Sequence, residues 1–217
     1  MTMGSLNRDF GKMAVFIDGN NLFHAARSIN IEIDYAKLLG VFCKYGPVLR
    51  AFFYTGVDEN ASKQQGFLLW MKRNGYKVVQ KELKVFPDGT KRANLDVEIV
   101  VDMMTLSHSV DTIVLVSGDE DFTYALDSMA KRGRQIMLAG FRVNTSPILM
   151  DVADCFLDLE TLIDEIVKEG GPGMPHDLYG THTSTVKSST LASRIAASHN
   201  SGTVPMPRAE EGILDGN

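Results

Sequence analysis

The sequence predicts an α/β fold in which helices cover both faces of a mostly parallel sheet. Two observations carry this prediction. Between residues 13 and 169, short apolar runs typical of buried strands alternate with stretches whose apolar residues recur at helical spacing. Two of these runs, 13–17 and 113–116, end in acidic turns. In an open parallel sheet the strand ends share one edge, and ligands bind there.

The first half of the predicted domain contains three strands and three helices. The apolar run 13–17 forms the first strand. Asp34 is a suitable N-cap for the second helix, the Gly-Pro pair at 46–47 stops that helix, and Gly75 ends the third helix. In chain order, we expect strand 13–17, helices 22–28 and 35–45, strand 48–55, helix 61–74 and strand 76–80.

The second half begins with the turn signal Pro-Asp-Gly-Thr at residues 87–90. A helix follows, because its apolar residues recur at helical spacing along one face. Gly133 ends a later helix. In chain order, we expect helix 95–106, strand 112–116, helix 122–131, strand 135–139, helix 147–152, strand 156–157 and helix 159–167.

Composition changes outside this domain of residues 13–169. Residues 1–12 are predicted to form a short N-terminal extension. Residues 170–217 are rich in Gly, Pro, Ser and Thr and lack apolar periodicity, so we predict a disordered tail. Within the tail, the stretch 191–197 is the candidate for folding on a protein partner. The sequence shows no internal repeat.

Composition also narrows the class of protein. The chain has 217 residues, of which 44% are hydrophobic, as is typical of a globular protein. No run approaches the ~18 to 20 apolar residues of a membrane span, and the first residues lack the apolar core of a signal peptide. We therefore expect a cytoplasmic protein without membrane association. Cys43 and Cys155 lie in apolar segments, which favours buried free thiols over a disulfide or zinc site.

Positive charge is concentrated in one segment although the formal net charge is −5. Residues 63–92 contain eight Lys or Arg and two acids, a local balance of 8 − 2 = +6, with aromatic residues interleaved. This pattern fits a surface that follows a phosphate backbone and stacks bases. It also fits a solvated helix and hairpin over core aromatics. The candidate substrate-binding residues here are Lys72, Arg73, Lys91 and Arg92.

Acidic residues follow two predicted strands and open one helix. Asp18 ends the run 13–17, Asp119 and Asp121 follow the run 113–116, and Asp96 opens the helix 95–106. Converging carboxylates raise one another's pKa unless a cation lies between them. Oxygen-only ligands suit Mg²⁺ or Mn²⁺, and such ions promote phosphodiester hydrolysis. The pattern therefore indicates a metal-dependent hydrolytic site.

A purely structural role is the alternative for each motif. Asp18, Asn20 or Asn21 could cap the helix that follows the first strand. Asp119 or Asp121 could cap another helix in the same way. Since one helix needs only one cap, the pair of acids favours catalysis over capping.

Other polar residues fit the site less well. Glu98 and Asp102 share a helical face, whereas Asp96 is six residues from Asp102 and faces elsewhere. We therefore favour Asp96 as the ligand and expect Asp102 beside it or in an ion pair. His24 and His108 have no partner at metal-binding spacing, which favours surface or packing roles. The sequence also lacks a Gly-rich phosphate loop with Lys-Ser/Thr, so a nucleoside triphosphatase is disfavoured.

Three motifs together resemble a known family. They are Phe-Ile-Asp-Gly-Asn-Asn at 16–21, Leu-Asp-Val-Glu-Ile-Val-Val-Asp at 95–102 and Leu-Val-Ser-Gly-Asp-Glu-Asp-Phe at 115–122. In this order and spacing they resemble the NYN domain, a branch of the PIN-like nucleases, and most closely its bacterial LabA-like group. The resemblance covers about residues 13–169. It implies a PIN-like three-layer α/β/α sandwich and metal-dependent RNA cleavage.

The resemblance also implies roles for individual residues. Asp18, Asp96 and Asp119 would bind Mg²⁺ or Mn²⁺, with Asp121 nearby and Asn21 orienting the site. Three further residues are expected to lie beside these ligands: Asn20, Ser117 and Asp102. The LabA-like group often has Lys-Gly-Val-Asp where this chain has Ala-Asn-Leu-Asp at 93–96. Lys91 and Arg92 lie just upstream and are the candidate substitutes for the missing lysine.

Three functions remain to be compared. The first is a ribonuclease in which the acids hold one or two ions that activate water, while the basic segment holds RNA, preferably single-stranded. The second is a catalytically weak RNA-binding or regulatory module, which could form homo-oligomers and use its tail to recruit a protein partner. The third is a haloacid-dehalogenase-like phosphatase. That chemistry needs a second Asp two residues after the nucleophilic Asp. If Asp18 is the nucleophile, this position is occupied by Asn20, which disfavours the phosphatase.

Overall fold

Six parallel strands form the central sheet of the computed structural model, which describes residues 10–58, 62–87 and 89–168. The strands are β1 (Met13–Asp18), β2 (Val48–Val57), β3 (Tyr76–Glu82), β6 (Thr112–Val116), β7 (Gln135–Gly140) and β8 (Cys155–Asp158). Their order across the sheet is β3-β2-β1-β6-β7-β8, and every pairing is parallel. Between β3 and the next helix, β4 (Lys84–Val85) and β5 (Lys91–Arg92) form an antiparallel hairpin.

Seven helices cover the two faces of the sheet in the described part of the chain. They are α1 (Gly19–Ser28), α2 (Tyr35–Cys43), α3 (Ser62–Arg73), α4 (Asp96–Leu106), α5 (Thr123–Ala130), α6 (Pro147–Asp151) and α7 (Ile163–Ile166). Alternate side chains of a strand point to opposite faces, and β1 shows this directly. Val15 packs in one core with α1, α2, α3 and α7, whereas Phe16 packs in a second core with α4, α5 and α6. The predicted three-layer α/β/α sandwich is therefore confirmed.

The direction of the crossovers changes between β1 and β6. The chain runs outward from β1 through β2 to β3, and then returns to place β6 on the other side of β1. The crevice outside the carboxyl ends of two such strands is where open α/β sheets bind ligands. Asp18 is the last residue of β1, and Asp119 lies three residues after the end of β6. The topology therefore brings the two acidic strand ends together.

Several helices begin at residues that differ from the predicted ones. α1 begins at Gly19 rather than residue 22, because the Asp18 side chain already accepts a hydrogen bond from the Asn21 N–H. The predicted helices 122–131 and 159–167 both begin with a turn of 3₁₀-helix, Glu120–Phe122 and Leu159–Leu162. Most of the predicted N-terminal extension and the whole predicted tail lie outside the described residues.

The prediction of buried thiols was wrong in part. Both cysteines are free, but Cys43 is exposed and Cys155 is half-buried. Cys43 is the last residue of α2, and the residues with which that helix faces the core are Tyr35, Leu38, Val41 and Phe42. An apolar segment on an amphipathic helix does not bury all of its members. None of the helices in the described part of the chain is long and apolar enough to span a membrane.

Candidate active site

A cavity of about 600 Å³ lies at the carboxyl ends of β1 and β6. α1, the hairpin, the start of α4 and the turn after β6 surround it, so its walls come from distant parts of the sequence. The strand ends and the start of α4 contribute acidic residues to the lining, and the hairpin contributes basic ones. The lining residues with charged side chains are Asp18, Asp96, Asp119, Lys91 and Arg92, and His24 lines it as well.

Asp18 is held in a fixed orientation by two hydrogen bonds. Its Oδ1 accepts from the Asn21 N–H at 3.1 Å, which makes it the N-cap of α1. Its Oδ2 accepts from the Ser117 Oγ at 3.1 Å. Ser117 is buried at the end of β6, so this second bond links the ends of the two central strands. Asp18 therefore combines a capping role with a place in the cavity wall.

The turn after β6 is fixed by the same group of residues. The Asn21 side chain accepts a hydrogen bond from the Gly118 N–H at 2.9 Å. The Ser117 Oγ accepts from the Asp119 N–H at 3.2 Å. The Asp119 carboxylate in turn accepts from the Asp121 N–H at 3.0 Å and caps the 3₁₀ turn. The Asn21 amide therefore positions the backbone just before Asp119, and its predicted orienting role in catalysis stays a prediction.

Asp96 is held at the first turn of α4 by its neighbour Asn94. The Asn94 Nδ2 donates to the Asp96 Oδ2 at 2.6 Å, and the Asn94 Oδ1 accepts from the Asp96 N–H at 2.9 Å. The Lys81 Nζ donates to the Asn94 carbonyl at 2.8 Å and to the Glu98 Oε1 at 2.7 Å. A network from β3 to α4 therefore fixes the loop that presents Asp96.

Three carboxylates converge closely enough to share an ion. One oxygen each from Asp96, Asp119 and Asp121 lies within 4.8 Å of the others. Asp18 lies outside this group but is near enough for Asp96 and Asp119 to raise its pKa. The tightest cluster therefore contains Asp121, which was expected only near the ligands. Asp18, one of the three predicted ligands, lies beside it.

The electrostatics of the cluster favour a cation. Burial, followed by the nearby carboxylates of Asp96 and Asp119, raises the pKa of Asp18 to about 6, although its hydrogen bonds oppose this. Burial and the neighbouring acids also raise the pKa of Asp96, against the bond from Asn94. No basic side chain within the described residues forms an ion pair with any of the four acids. Within the part of the chain that the structure describes, no ion pair therefore offsets their negative charge.

These residues fit a hard divalent ion. Mg²⁺ takes oxygen ligands at about 2.0–2.1 Å, so ligands on opposite sides of the ion are about 4.2 Å apart. The separations in the cluster require only small side-chain adjustments to reach that geometry. Carboxylates and water suit Mg²⁺ and Mn²⁺ rather than zinc or copper. The donor set therefore matches the predicted metals.

The structure separates the predicted substrate-binding residues into two groups. Lys91 and Arg92 line the cavity, and Lys91 also pairs with Asp58 at 2.5 Å. Lys72 and Arg73 are the last residues of α3 and lie just before β3 begins, at the edge of the sheet formed by the amino ends of the strands. They lie at the opposite edge from the cavity and do not line it. All four residues belong to one basic segment of the sequence, so the sequence alone did not show that they lie at opposite edges of the sheet.

The remaining predicted neighbours of the ligands have distinct positions. Asn20 is exposed and lines the cavity. Asp102 does not line it, and its carboxylate accepts a hydrogen bond from the Tyr54 hydroxyl at 2.9 Å. This bond ties α4 to β2. Asp102 therefore supports the helix that carries Asp96 instead of lining the cavity.

The sequence interpretation missed three residues at the cavity. Asn94 was noted only as a departure from the family pattern, and Asn144 comes from the loop after β7. His24 was assigned to surface or packing roles, yet it lines the cavity, and burial followed by Arg27 lowers its pKa. Its spacing of four residues from Asn20 places both on one helical face, and that signal was available. No local signal places Asn144.

Comparison with known proteins assigns the family. The NYN domain family matches residues 12–160, a span that contains the whole central sheet and the four acids. The chain belongs to the NYN domain family. It is 32% identical over 169 residues to the low amplitude and bright protein LabA of Synechococcus elongatus, an alignment that covers 74% of this chain and 90% of LabA. The predicted resemblance to the LabA-like group of NYN domains is thereby confirmed.

Two further relatives extend the NYN comparison. An uncharacterized protein of Methanocaldococcus jannaschii is 25% identical over 146 residues, and this chain spans about half (53%) of its length. The crystal structure of a protein of unknown function from Vibrio parahaemolyticus aligns with a TM-score of 0.64 at 26% identity. The alignment covers 76% of this chain and all of that structure. The NYN fold described here is therefore also found in an experimentally solved relative.

Proposed function

We propose that this NYN protein is a divalent-metal-dependent ribonuclease that hydrolyses RNA phosphodiester bonds. The observation that carries the proposal is the convergence of Asp96, Asp119 and Asp121 beside a cavity that two basic residues also line. Acids that can hold a metal and basic residues that can bind an anion, brought together at one cavity, suit a phosphodiester. NYN domains are usually nucleases that act on RNA, which supports RNA as the substrate.

Each part of the site has a role in this reaction. Asp96, Asp119 and Asp121 would hold Mg²⁺ or Mn²⁺, and Asp18 would add negative charge beside them. Such an ion would lower the pKa of a coordinated water and stabilise charge on the phosphate. Ser117 and Asn21 keep the acidic strand ends in register, because their hydrogen bonds join α1 to the turn after β6. Two basic residues of the hairpin, Lys91 and Arg92, contact the phosphate backbone.

The test is cleavage of mixed RNA by the purified full chain with Mn²⁺, with Mg²⁺ and with a chelator. We expect cleavage only with metal. Asp119→Asn should fold, since Asn caps about as well as Asp, but should cut at least about 100-fold more slowly because transition-state charge stabilisation is lost. Asp121→Asn should show a similar loss. The control is Asp151→Asn, which changes the same charge at an exposed position on α6.

Two outcomes would contradict the proposal. Cleavage that survives the chelator would exclude metal dependence, and wild-type cleavage by Asp119→Asn would exclude that residue as an essential ligand. RNA that binds but is never cut would favour the catalytically weak RNA-binding module. A cytoplasmic location, a homo-oligomeric state and a protein partner for the tail stay predictions from the sequence.

A further inference from the structure

The hairpin of β4 and β5 projects an exposed aromatic side chain next to the cavity. Its base is fixed to β2, because the Leu83 N–H donates to the Val57 carbonyl at 3.0 Å and Lys91 pairs with Asp58. Leu83 also lines the cavity. At the turn, Phe86 is 45% exposed. The hairpin is therefore anchored at one end while its aromatic tip faces solvent.

The strand register assigns the side chains of the hairpin to two faces. Lys84 pairs with Arg92, and the Phe86 N–H donates to the Thr90 carbonyl at 2.8 Å. Side chains two residues apart on a strand share a face. Lys84, Phe86, Thr90 and Arg92 therefore lie on one face, which we call the aromatic face. The other face carries Val85 and its partner Lys91.

The aromatic face continues into the cavity. Two of its members, Thr90 and Arg92, also line the cavity. Lys84 and Arg92 are exposed and form no ion pair within the part of the chain that the structure describes. Two such cations, paired across the hairpin next to an exposed ring on the same face, complement a phosphate backbone that carries unstacked bases.

We propose that the aromatic face is a binding subsite for single-stranded RNA, in which Phe86 stacks on one unpaired base while Lys84 and Arg92 contact the adjoining phosphates. This subsite rests on the proposed ribonuclease function, because it holds the strand that enters the cavity. Bases in a duplex are stacked on each other and hide their faces, whereas unpaired bases can stack on aromatic side chains. The subsite therefore selects single strands over duplexes.

The test measures binding of labelled single-stranded and duplex RNA by the full chain in a chelator, where no metal-dependent cleavage occurs. Phe86→Ala should weaken single-strand binding roughly 5- to 100-fold, as expected for one stacked base, and should leave duplex binding unchanged. Phe86→Tyr should restore binding because it keeps the ring. Val85→Ala, on the opposite face, is the matched control and should bind like the wild type.

Two further measurements report the contacts directly. Trp70 is the only tryptophan of the chain, so Phe86→Trp combined with Trp70→Phe places the sole indole on the hairpin, and stacking should quench its fluorescence when single-stranded RNA binds. Removing the charges of Lys84 and Arg92 should make the fall of log affinity with log salt concentration shallower, by the equivalent of about two phosphate contacts.

The results separate this inference from the proposed function. Unchanged single-strand affinity of Phe86→Ala, an equal loss for both forms of RNA, or a wild-type chain that binds no single strand would overturn the subsite. Cleavage by the acid cluster would stand in the first two cases. Conversely, a chain that never cuts RNA but shows the Phe86 effect would keep the subsite and remove the ribonuclease.

Discussion

Replacing Asp18 by Asn should stabilise the metal-free protein near pH 7.5. The pKa of this carboxyl is raised from its ordinary value of 3.8 to about 6, first by burial and then by Asp96 and Asp119. A raised folded-state pKa means that the fold penalises the charged form. The associated stability is fully present below pH 3.8 and is lost as the pH rises through about 6.

The magnitude follows from the two pKa values. The difference of 6 − 3.8 = 2.2 corresponds to a loss of up to about 3 kcal/mol once the pH exceeds 6. About half of that loss is already present near pH 5, because the unfolded chain ionises first. Asn can still accept the Asn21 N–H, but its bond with Ser117 is altered, at a cost of about 1 kcal/mol. The expected net gain near pH 7.5 is therefore about 1–2 kcal/mol.

The assay is urea unfolding in a chelator, followed by Trp70 fluorescence, for the wild type, Asp18→Asn and the control Asp151→Asn. Because other groups titrate in the same range, the difference between the wild type and Asp18→Asn isolates the single carboxyl. That difference should shrink as the pH is lowered toward 5. A variant that is less stable than the wild type at both pH values, or whose advantage does not depend on pH, would refute the reasoning.

Three further predictions concern other parts of the structure. Asn94→Ala should lower Mn²⁺ affinity roughly tenfold in a thermal-shift titration without unfolding the protein, since it removes one hydrogen bond to the Asp96 carboxylate and one to the Asp96 N–H; unchanged affinity would exclude a positioning role. Alanine at both Lys72 and Arg73 should leave the rate of RNA cleavage unchanged, because they lie at the opposite edge of the sheet from the cavity. Gly118→Ala should destabilise the fold in urea unfolding by more than about 1 kcal/mol, because its Cβ would lie 1.9 Å from a carbonyl oxygen of the facing loop.

The fold was predictable because each strand carries its own signal. Buried parallel strands read as apolar runs, and all six predicted strands are present, although β2 and β3 extend two residues further than expected. The helix boundaries were less accurate where a side chain outside the helix decides the start. At α1 the capping bond from Asn21 to Asp18 sets the boundary three residues earlier, and apolar periodicity does not report such a bond.

The candidate site was predictable only as far as topology dictates it. Acids at the carboxyl ends of adjacent parallel strands must meet, so Asp18 and Asp119 could be placed together without coordinates. Asp121, and not Asp18, completes the cluster with Asp96 because of the local path of the 3₁₀ turn that carries Asp121. Sequence spacing does not determine that path. Lys72 and Lys91 have the same charge and belong to one basic segment of the sequence. Lys72 precedes β3 and Lys91 follows it, so the length of this strand places them at opposite edges of the sheet.

Capping and metal binding were posed as alternatives, but the structure shows that an acid can cap a helical turn and still line the cavity. Asp18 and Asp119 each accept a backbone N–H at the start of a helical turn. A carboxylate has about four lone-pair sites, so one capping bond fixes its orientation and leaves other sites directed at the cavity. If capping were the whole role, Asn would serve as well and would avoid the penalty that raises the pKa of Asp18 to about 6. An acid in that position costs stability in the absence of metal, and the proposed cation would offset this cost. The presence of acids at both caps therefore favours a site selected for function over one selected for folding.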